Sequence, residues 1–183
     1  MLLVTATLPQ YSYFLYSIVI SCEWPHYFQD QCKSVGKLDS SICNVLTIRL
    51  YKNDLGWNQL KMWKDRFPGL NYDEGNQDII INIRECRIFV STYNATTYLE
   101  SFSMDIPTVI YWDTNFYELR ESAIPFFEEL KRVRIFHKTP ESAADHINMI
   151  GVDVDSWWYS AEVSAVVLNF LRRFLSFILS VSG

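Results

Sequence analysis

The chain has 183 residues, of which 49% are hydrophobic and 16% aromatic. This length and composition suit one globular domain with a well-filled core and argue against an intrinsically disordered chain. The formal net charge of −5 at pH 7 gives no broad electrostatic attraction to a polyanion. It therefore argues against non-specific nucleic-acid binding, while a small nucleotide ligand stays compatible with it.

The N-terminal segment, residues 1–22, contains no charged side chain. Pro9, Gln10 and several tyrosines and serines interrupt it, and no basic stretch precedes its apolar residues. It therefore fits neither a signal peptide nor a good membrane-spanning helix. We predict a buried strand from Leu2 to Leu8, followed by an aromatic loop or the start of a helix.

A helix is predicted from Glu23 to Gly36, because its aromatic residues lie near helical spacing and a glycine follows as a stop signal. A turn over Asp39–Ser41 separates this helix from the next strand. The four cysteines are Cys22, Cys32, Cys43 and Cys86. They are far apart, form no C-x-x-C motif and have only three histidines to join them, so we predict reduced thiols in a cytosolic protein and no metal site.

The second predicted strand runs from Asn44 to Tyr51 and ends in a polar tail, Lys52–Asp54, at the carboxyl edge of the sheet. Arg49 is unusual in this otherwise apolar strand. Its planar guanidinium suits either a carboxylate partner within the protein or the phosphate of a ligand. The residues alone leave both alternatives open.

A helix is predicted from Gly56–Asn58 through Phe67, ending at Pro68–Gly69. A polar loop over Asn71–Gly75 and a short helix from Asp78 to Arg84 complete this region. These elements lead into the most informative part of the chain.

That central part is a strand, a polar turn, a short helix and a second strand. The runs Ile88–Val90 and Val109–Trp112 are continuously apolar, as expected of parallel strands covered on both faces. Between them, four apolar residues at spacing i, i+3, i+4 and i+7 place one helical face against the sheet. These residues are Ala95, Tyr98, Leu99 and Phe102. The pattern predicts a βαβ unit.

The turn of this unit is rich in polar side chains, namely Ser91, Thr92, Asn94, Thr96 and Thr97. It joins the carboxyl end of a strand to the amino end of a helix, where free N–H groups and the helix dipole favour an anion such as a phosphate. The alternative is that Asn94 is only an N-cap and that Thr97 and Glu100 form a capping box. Asp105 is predicted to close the helix, because aspartate tolerates the left-handed conformation.

Beyond the central unit, a helix is predicted from Asn115 to about Val133, with Pro125 marking a break or a new start inside it. A further strand follows over Arg134–Phe136. Thr139 is predicted to cap the next helix, because a proline occupies the position after it.

The last apolar run, from Val163 to Val181, is interrupted by Asn169, Arg172 and Arg173. Two central arginines would be costly inside a bilayer, so we predict an amphipathic helix over residues 161–183, with attachment to a membrane surface as the alternative. Residues 1–160 alternate strands with helices. This pattern predicts an α/β fold, a Rossmann-like parallel sheet with helices on both faces.

Three blocks of the chain resemble the C-terminal part of transferases from bacterial surface-polysaccharide (O-antigen) clusters. The blocks are Ile48–Trp57 (IRLYKNDLGW), Ser91–Glu100 (STYNATTYLE), and Trp112 with Tyr117–Ala123 (YELRESA). More loosely, the arrangement around Ser91–Glu100 resembles the donor-binding half of GT-B glycosyltransferases. The resemblance covers roughly residues 1–160.

This resemblance implies that the nucleotide-sugar donor is the substrate and that no separate cofactor is needed. It implies that the turn from Ser91 to Thr97 holds the diphosphate and that Glu100 accepts hydrogen bonds from a ribose or sugar hydroxyl. Arg49 matches a basic position that faces the donor phosphates. Glu118 and Arg120 follow the next strand, where the same ligand reaches.

GT-B enzymes close two Rossmann-like domains around their site, whereas this chain has the length of one. We therefore expect it to be incomplete on its own and to work with a missing N-terminal half-domain. The resemblance implies a cytoplasmic protein in surface-polysaccharide assembly, with the C-terminal helix as a means of peripheral attachment to the inner membrane. The alternative is a non-catalytic α/β binding or interaction module derived from such an enzyme.

Overall fold

The computed structural model describes residues 1–11, 21–115 and 117–181, with side chains described as far as residue 174. Its strands are β1 (Leu2–Val4), β2 (Thr47–Arg49), β3 (Asn71–Asp73), β4 (Phe89–Ser91), β5 (Thr108–Tyr111) and β6 (Phe136–His137). They form one six-stranded sheet in the order β3-β2-β1-β4-β5-β6, and every neighbouring pair is parallel. The predicted Rossmann-like α/β fold is confirmed.

Helices cover both faces of this sheet. They are α1 (Trp24–Lys37), α2 (Ser40–Cys43), α3 (Gln59–Arg66), α4 (Ile79–Glu85), α5 (Thr97–Ser103), α6 (Ile124–Arg132), α7 (Pro140–Ile150), α8 (Val154–Trp158) and α9 (Ala161–Val181). On one face α4, α5, α6 and α9 pack on a cluster that contains Phe89 and Ile110. On the other, α1, α3 and α7 pack on a cluster that contains Val90 and Val109. Successive strand residues thus point to opposite cores, as the pleat requires.

The predicted strands lie in the sheet, but three of them are shorter than expected. The strand predicted over Arg134–Phe136 is β6, Phe136–His137, because Arg134 belongs to the turn that ends α6. β1 ends at Val4 rather than Leu8, because the N–H of Ala6 bonds to the Tyr27 hydroxyl and no longer to a neighbouring strand. β2 begins at Thr47 rather than Asn44, because Asn44 is the C-cap residue of α2. This short helix takes the place of the predicted turn over Asp39–Ser41.

The prediction of a polar loop over Asn71–Gly75 is wrong. Asn71–Asp73 is strand β3, paired in parallel with β2. β3 lies at the edge of the sheet and its residues are exposed or half-buried. An edge strand needs no continuous apolar run, and for this reason the sequence did not indicate it.

Helix α1 ends later than predicted, and helix α6 begins later than predicted. Gly36 lies inside α1, which continues to Lys37. The predicted helix from Asn115 begins only at Ile124, with Pro125 in its first turn, so the proline marks a new start. At Asn115 the chain forms a turn instead of a helix start, because the N–H of Asn115 bonds to the Asp113 carboxylate. Phe116 and the predicted aromatic loop over residues 12–20 lie outside the described residues.

Two helices end in the same way. Asp105 has a φ of 56°, and the N–H of Ile106 bonds to the carbonyl of Ser101 at the end of α5. Arg134 has a φ of 62°, and the N–H of Ile135 bonds to the carbonyl of Leu130 at the end of α6. Both are Schellman motifs, which usually have glycine at this position. The predicted closure of α5 at Asp105 is confirmed.

α9 packs along α5 and α6. Its buried residues, Val163, Val166, Val167 and Phe170, follow the helical spacing of one face, and Phe170 contacts Phe127 edge to face. The helix is therefore amphipathic. In the part of the chain that the structure describes, no helix is long and apolar enough to cross a membrane. The predicted division of the chain at residue 160 stays a prediction.

Candidate functional site

The carboxyl ends of the parallel strands meet at one edge of the sheet. The chain runs outward in both directions from the neighbouring strands β1 and β4, so the switch point of the strand order lies between them. Open α/β sheets bind ligands in the crevice outside this point. The polar turn after β4, residues Ser91–Thr97, lies at this edge and is called the edge turn below.

A tyrosine from α1 fills the switch point itself. The Tyr27 hydroxyl accepts a hydrogen bond from the N–H of Ala6 at 2.7 Å and lies 2.5 Å from Oγ1 of Thr92. Thr92 in turn donates to the carbonyl of Val4 at 2.8 Å. Burial raises the pKa of Tyr27 well above its usual value, so the hydroxyl stays neutral. The N–H of Ala6, which a ligand phosphate could otherwise bind at the switch point, is therefore already bonded to Tyr27.

The edge turn divides into inward and outward side chains. Ser91 and Thr92 are fully buried, and the Ser91 hydroxyl donates to the carbonyl of Tyr93 at 3.0 Å. Neither hydroxyl faces the open edge. Both stabilise the turn from within.

The start of α5 differs from the predicted caps. Thr96, not Asn94, is the N-cap residue, and its side chain makes no capping hydrogen bond. The side-chain Oδ1 of Asn94 instead accepts a hydrogen bond from the Tyr98 hydroxyl at 3.0 Å. The predicted capping box of Thr97 and Glu100 is likewise not formed. The Asn94 side chain is thus directed along the helix rather than onto its free N–H groups.

Tyr93 brings three of the predicted site residues together. Burial raises the pKa of its hydroxyl, while the nearby Thr97 and the positive charge of Arg49 act in the opposite direction. The Thr97 hydroxyl itself is buried and has no hydrogen-bond partner among the described residues. The charge of Glu100 also acts on this tyrosine. Partial burial, helped by the nearby Asp78, raises the pKa of Glu100 itself. Arg49, Thr97 and Glu100 therefore lie near enough to Tyr93 to influence its pKa.

Arg49 has protein partners. Its Nη1 donates to Oδ2 of Asp73 at 2.5 Å and its Nη2 to the carbonyl of Gln77 at 2.5 Å. Asn82 donates to the same carboxylate oxygen at 2.6 Å. Arg49 is only 8% exposed. Of the two alternatives that the sequence left open, the carboxylate partner is present.

A groove of about 500 Å³ lies beside the edge turn and is called the edge groove below. Three predicted site residues line it, Asn94, Glu118 and Arg120, together with Arg173 and Phe174 of α9. Glu118 and Arg120 are exposed. Arg173 also lies over the ring of Phe126, with its guanidinium carbon 5.9 Å from the ring centroid. The edge groove thus combines an amide, a carboxylate and two cations with an aromatic wall.

The sequence did not indicate several of these contributors. Tyr27, Tyr93 and Tyr98 have no motif of their own, because aromatic residues at helical spacing are typical of a core. The pair Arg173–Phe174 was assigned to an amphipathic helix, and only the packing of α9 places it at the groove. The two tyrosines in and just after the polar turn, Tyr93 and Tyr98, are the one available signal.

The strand order and the helices on both faces of the sheet define a Rossmann-like α/β protein. Residues 1–177 match the family model described as LIC12162 family transferase. The chain belongs to this transferase family. No curated protein and no solved structure gave a match to it.

Proposed function

We propose that this domain binds the nucleotide-sugar donor of a glycosyltransferase-like reaction in bacterial surface-polysaccharide (O-antigen) assembly. The observation that carries the proposal is the edge groove, where Asn94, Glu118 and Arg120 meet beside the start of α5. Membership of a transferase family supports group transfer as the reaction type.

In the proposed complex, the donor diphosphate lies against the edge turn, and Arg120 supplies positive charge to it. Charge grows on the departing nucleotide diphosphate in the transition state, so a preorganised cation and backbone N–H groups there accelerate transfer. Glu118 accepts hydrogen bonds from ribose or sugar hydroxyls in this arrangement. Arg49 makes no direct contact with the diphosphate in this arrangement, because its terminal nitrogens already donate to Asp73 and Gln77. It supports the site through these protein contacts.

A second half-domain completes the site in this proposal and supplies the general base for the acceptor hydroxyl. The GT-B resemblance of the edge-turn block is the basis for this partner. The exposed face of α9 gives the assembly peripheral contact with the inner membrane, where the acceptor of a surface glycan is presented.

A thermal-shift panel of UDP, GDP, CMP, CDP, dTDP and ADP, with and without their sugars, tests donor binding. A ligand present at 100 times its dissociation constant adds about 2.7 kcal/mol of stability. For the nucleotide found, Arg120→Ala is expected to weaken the diphosphate roughly tenfold, as loss of a charge-assisted hydrogen bond does. The matching nucleoside should bind as before.

Arg84→Ala is the matched control, since Arg84 is an exposed arginine in the last turn of α4 and does not line the edge groove. It should leave both affinities unchanged. Equal losses for Arg84→Ala and Arg120→Ala would mean that general charge, not the groove, attracts the nucleotide. Stabilisation by none of the six nucleotides or their sugars would favour the alternative, a non-catalytic interaction module.

A further inference from the structure

A second groove lies at the opposite end of the sheet from Arg49, along the outer side of the edge strand β6. Its volume is about 780 Å³, and it is called the β6 groove below. The end of α6, strand β6 and helix α7 supply its walls. None of the predicted site residues lines it.

Arg134 is the first unusual residue of the β6 groove. It occupies the left-handed position of the Schellman motif after α6, with a φ of 62°, where glycine is the usual residue because it has no Cβ. Its Nη1 reaches only the sulfur of Met149, at 3.5 Å. None of the ion pairs found in the described part of the chain includes it. A cation therefore stands where the backbone would prefer glycine.

His146 is the second unusual residue. It is 3% exposed and lines the β6 groove, yet neither of its ring nitrogens has a hydrogen-bond partner among the described residues. The neighbouring His137 differs, because its Nδ1 lies 2.8 Å from the Ser142 hydroxyl and its Nε2 2.9 Å from the carbonyl of Arg134. A buried donor without a partner is unfavourable unless water or a ligand takes it.

Burial, the neighbouring His137 and the charge of Arg134 lower the pKa of His146 to about 3. The imidazole is therefore neutral at pH 7 and carries one N–H donor and one acceptor. The two imidazole rings lie 5.3 Å apart, centroid to centroid. The positive charge of Arg134 lowers the pKa of both histidines, and Arg134 and His146 line the same groove.

We propose that the β6 groove binds a small ligand through an oxyanion, a phosphate or carboxylate group held by the Arg134 guanidinium and the N–H of His146. The planar guanidinium can donate two parallel hydrogen bonds to such a group. Lys131 and Lys138 line the same groove and add positive charge. The inference goes beyond the donor site and uses none of its residues.

The surrounding charges favour an anion over a cation. Lys131 and Lys138 both form ion pairs with the Glu128 carboxylate, at 3.6 and 3.3 Å. The Asp145 carboxylate forms an ion pair with Lys37 at 2.6 Å. Glu141 is the remaining carboxylate that lines the β6 groove. Among the described residues, no group of three or more His, Cys, Asp and Glu side chains could hold a metal ion. A cation would thus meet Arg134 without a matching set of ligands.

The test follows the imidazole C–H resonances of the full chain by NMR while inorganic phosphate is added, and in a second arm while succinate is added. We expect a saturable shift of the His146 resonance with at least one of the two anions. Phosphate alone would identify a phosphate-bearing ligand, and succinate alone a carboxylate-bearing one.

Arg134→Gly is the decisive variant, because glycine suits the left-handed position and the fold should stay intact or gain stability. We expect it to weaken the anion roughly tenfold to a hundredfold, the equivalent of one charge-assisted hydrogen-bonded contact. Asn58→Gly is the matched control. Asn58 also has a positive φ, of 54°, but lies before α3, so its replacement should not change anion binding.

Two results would overturn the inference. One is a His146 resonance that shifts with neither anion. The other is a shift of the same size and concentration dependence in Arg134→Gly, because the anion would then be bound without the guanidinium. Donor binding at the edge groove uses other residues, so either result leaves that proposal to its own nucleotide panel.

Discussion

Replacing Arg49 by methionine tests whether this side chain stabilises the fold. Methionine keeps much of the apolar stem and removes the charge and its donors. In the structure this change would leave Oδ2 of Asp73 with Asn82 as its remaining partner and take one donor from the carbonyl of Gln77. The side chains of Arg49 and Asp73 are 10% and 18% exposed, so water can compensate only in part.

Removing one partner of a fully buried ion pair costs about 3–5 kcal/mol. The pair here joins β2 to the edge strand β3 and keeps some solvent contact. We therefore expect Arg49→Met to lower the free energy of unfolding by about 2–4 kcal/mol. Asp73→Asn keeps the acceptor for the N–H of Gly75 and completes a double-mutant cycle, in which we expect a coupling energy of about 1–3 kcal/mol.

Urea unfolding with comparison of m-values is the assay, because a change in midpoint at constant m reports stability alone. Arg84→Met is the control and should stay within about 0.5 kcal/mol of the wild type, as exposed substitutions usually do. If Arg49→Met is equally harmless and instead weakens a nucleoside diphosphate more than its nucleoside, the structural argument is refuted. Arg49 would then face the ligand.

Two further predictions concern pH and helix capping. His137 and His146 have pKa values of about 4 and 3 in the fold against about 6.5 when unfolded, so below pH 6.5 the unfolded chain binds more protons. Stability should fall as the pH drops from 6.5 toward 4, by about 1.4 kcal/mol per pH unit for each histidine, and urea midpoints that stay constant between about pH 7 and 5 would contradict this. Thr139→Ala should lower the free energy of unfolding by about 1 kcal/mol. The reason is that Oγ1 of Thr139 caps α7 by accepting a hydrogen bond from the N–H of Ser142 at 3.2 Å. Thr96→Ala should cost only a few tenths because Thr96 makes no such bond, and equal losses in urea melts would refute the distinction.

The candidate site shows which aspects of residue placement depend on packing. The sequence singled out Asn94, Glu118 and Arg120, and the structure places them along one groove. It also grouped Ser91 and Thr92 with them, although both are buried inside the turn. A polar residue after a strand has the same appearance in sequence whether it faces solvent or the interior, so only the packing separates the two cases.

The sequence by itself determined the alternation of strands and helices and the parallel α/β class. Apolar runs and helical spacing express the burial of each element, which is a local property. It also determined the cap at Thr139 and the closure at Asp105, because capping depends on residues within one turn. These features needed no knowledge of distant neighbours.

The tertiary structure alone decided the polar edge strand β3, the partner of Arg49, the tyrosine at the switch point and the wall that α9 gives the edge groove. Arg49 and its partner Asp73 are 24 residues apart, and Tyr27 and Thr92 are 65 apart. Contacts of this kind depend on how the sheet is ordered and which helix covers each strand. No periodicity in the chain records them, because hydrogen bonds and ion pairs between distant residues form only once the packing brings their atoms together.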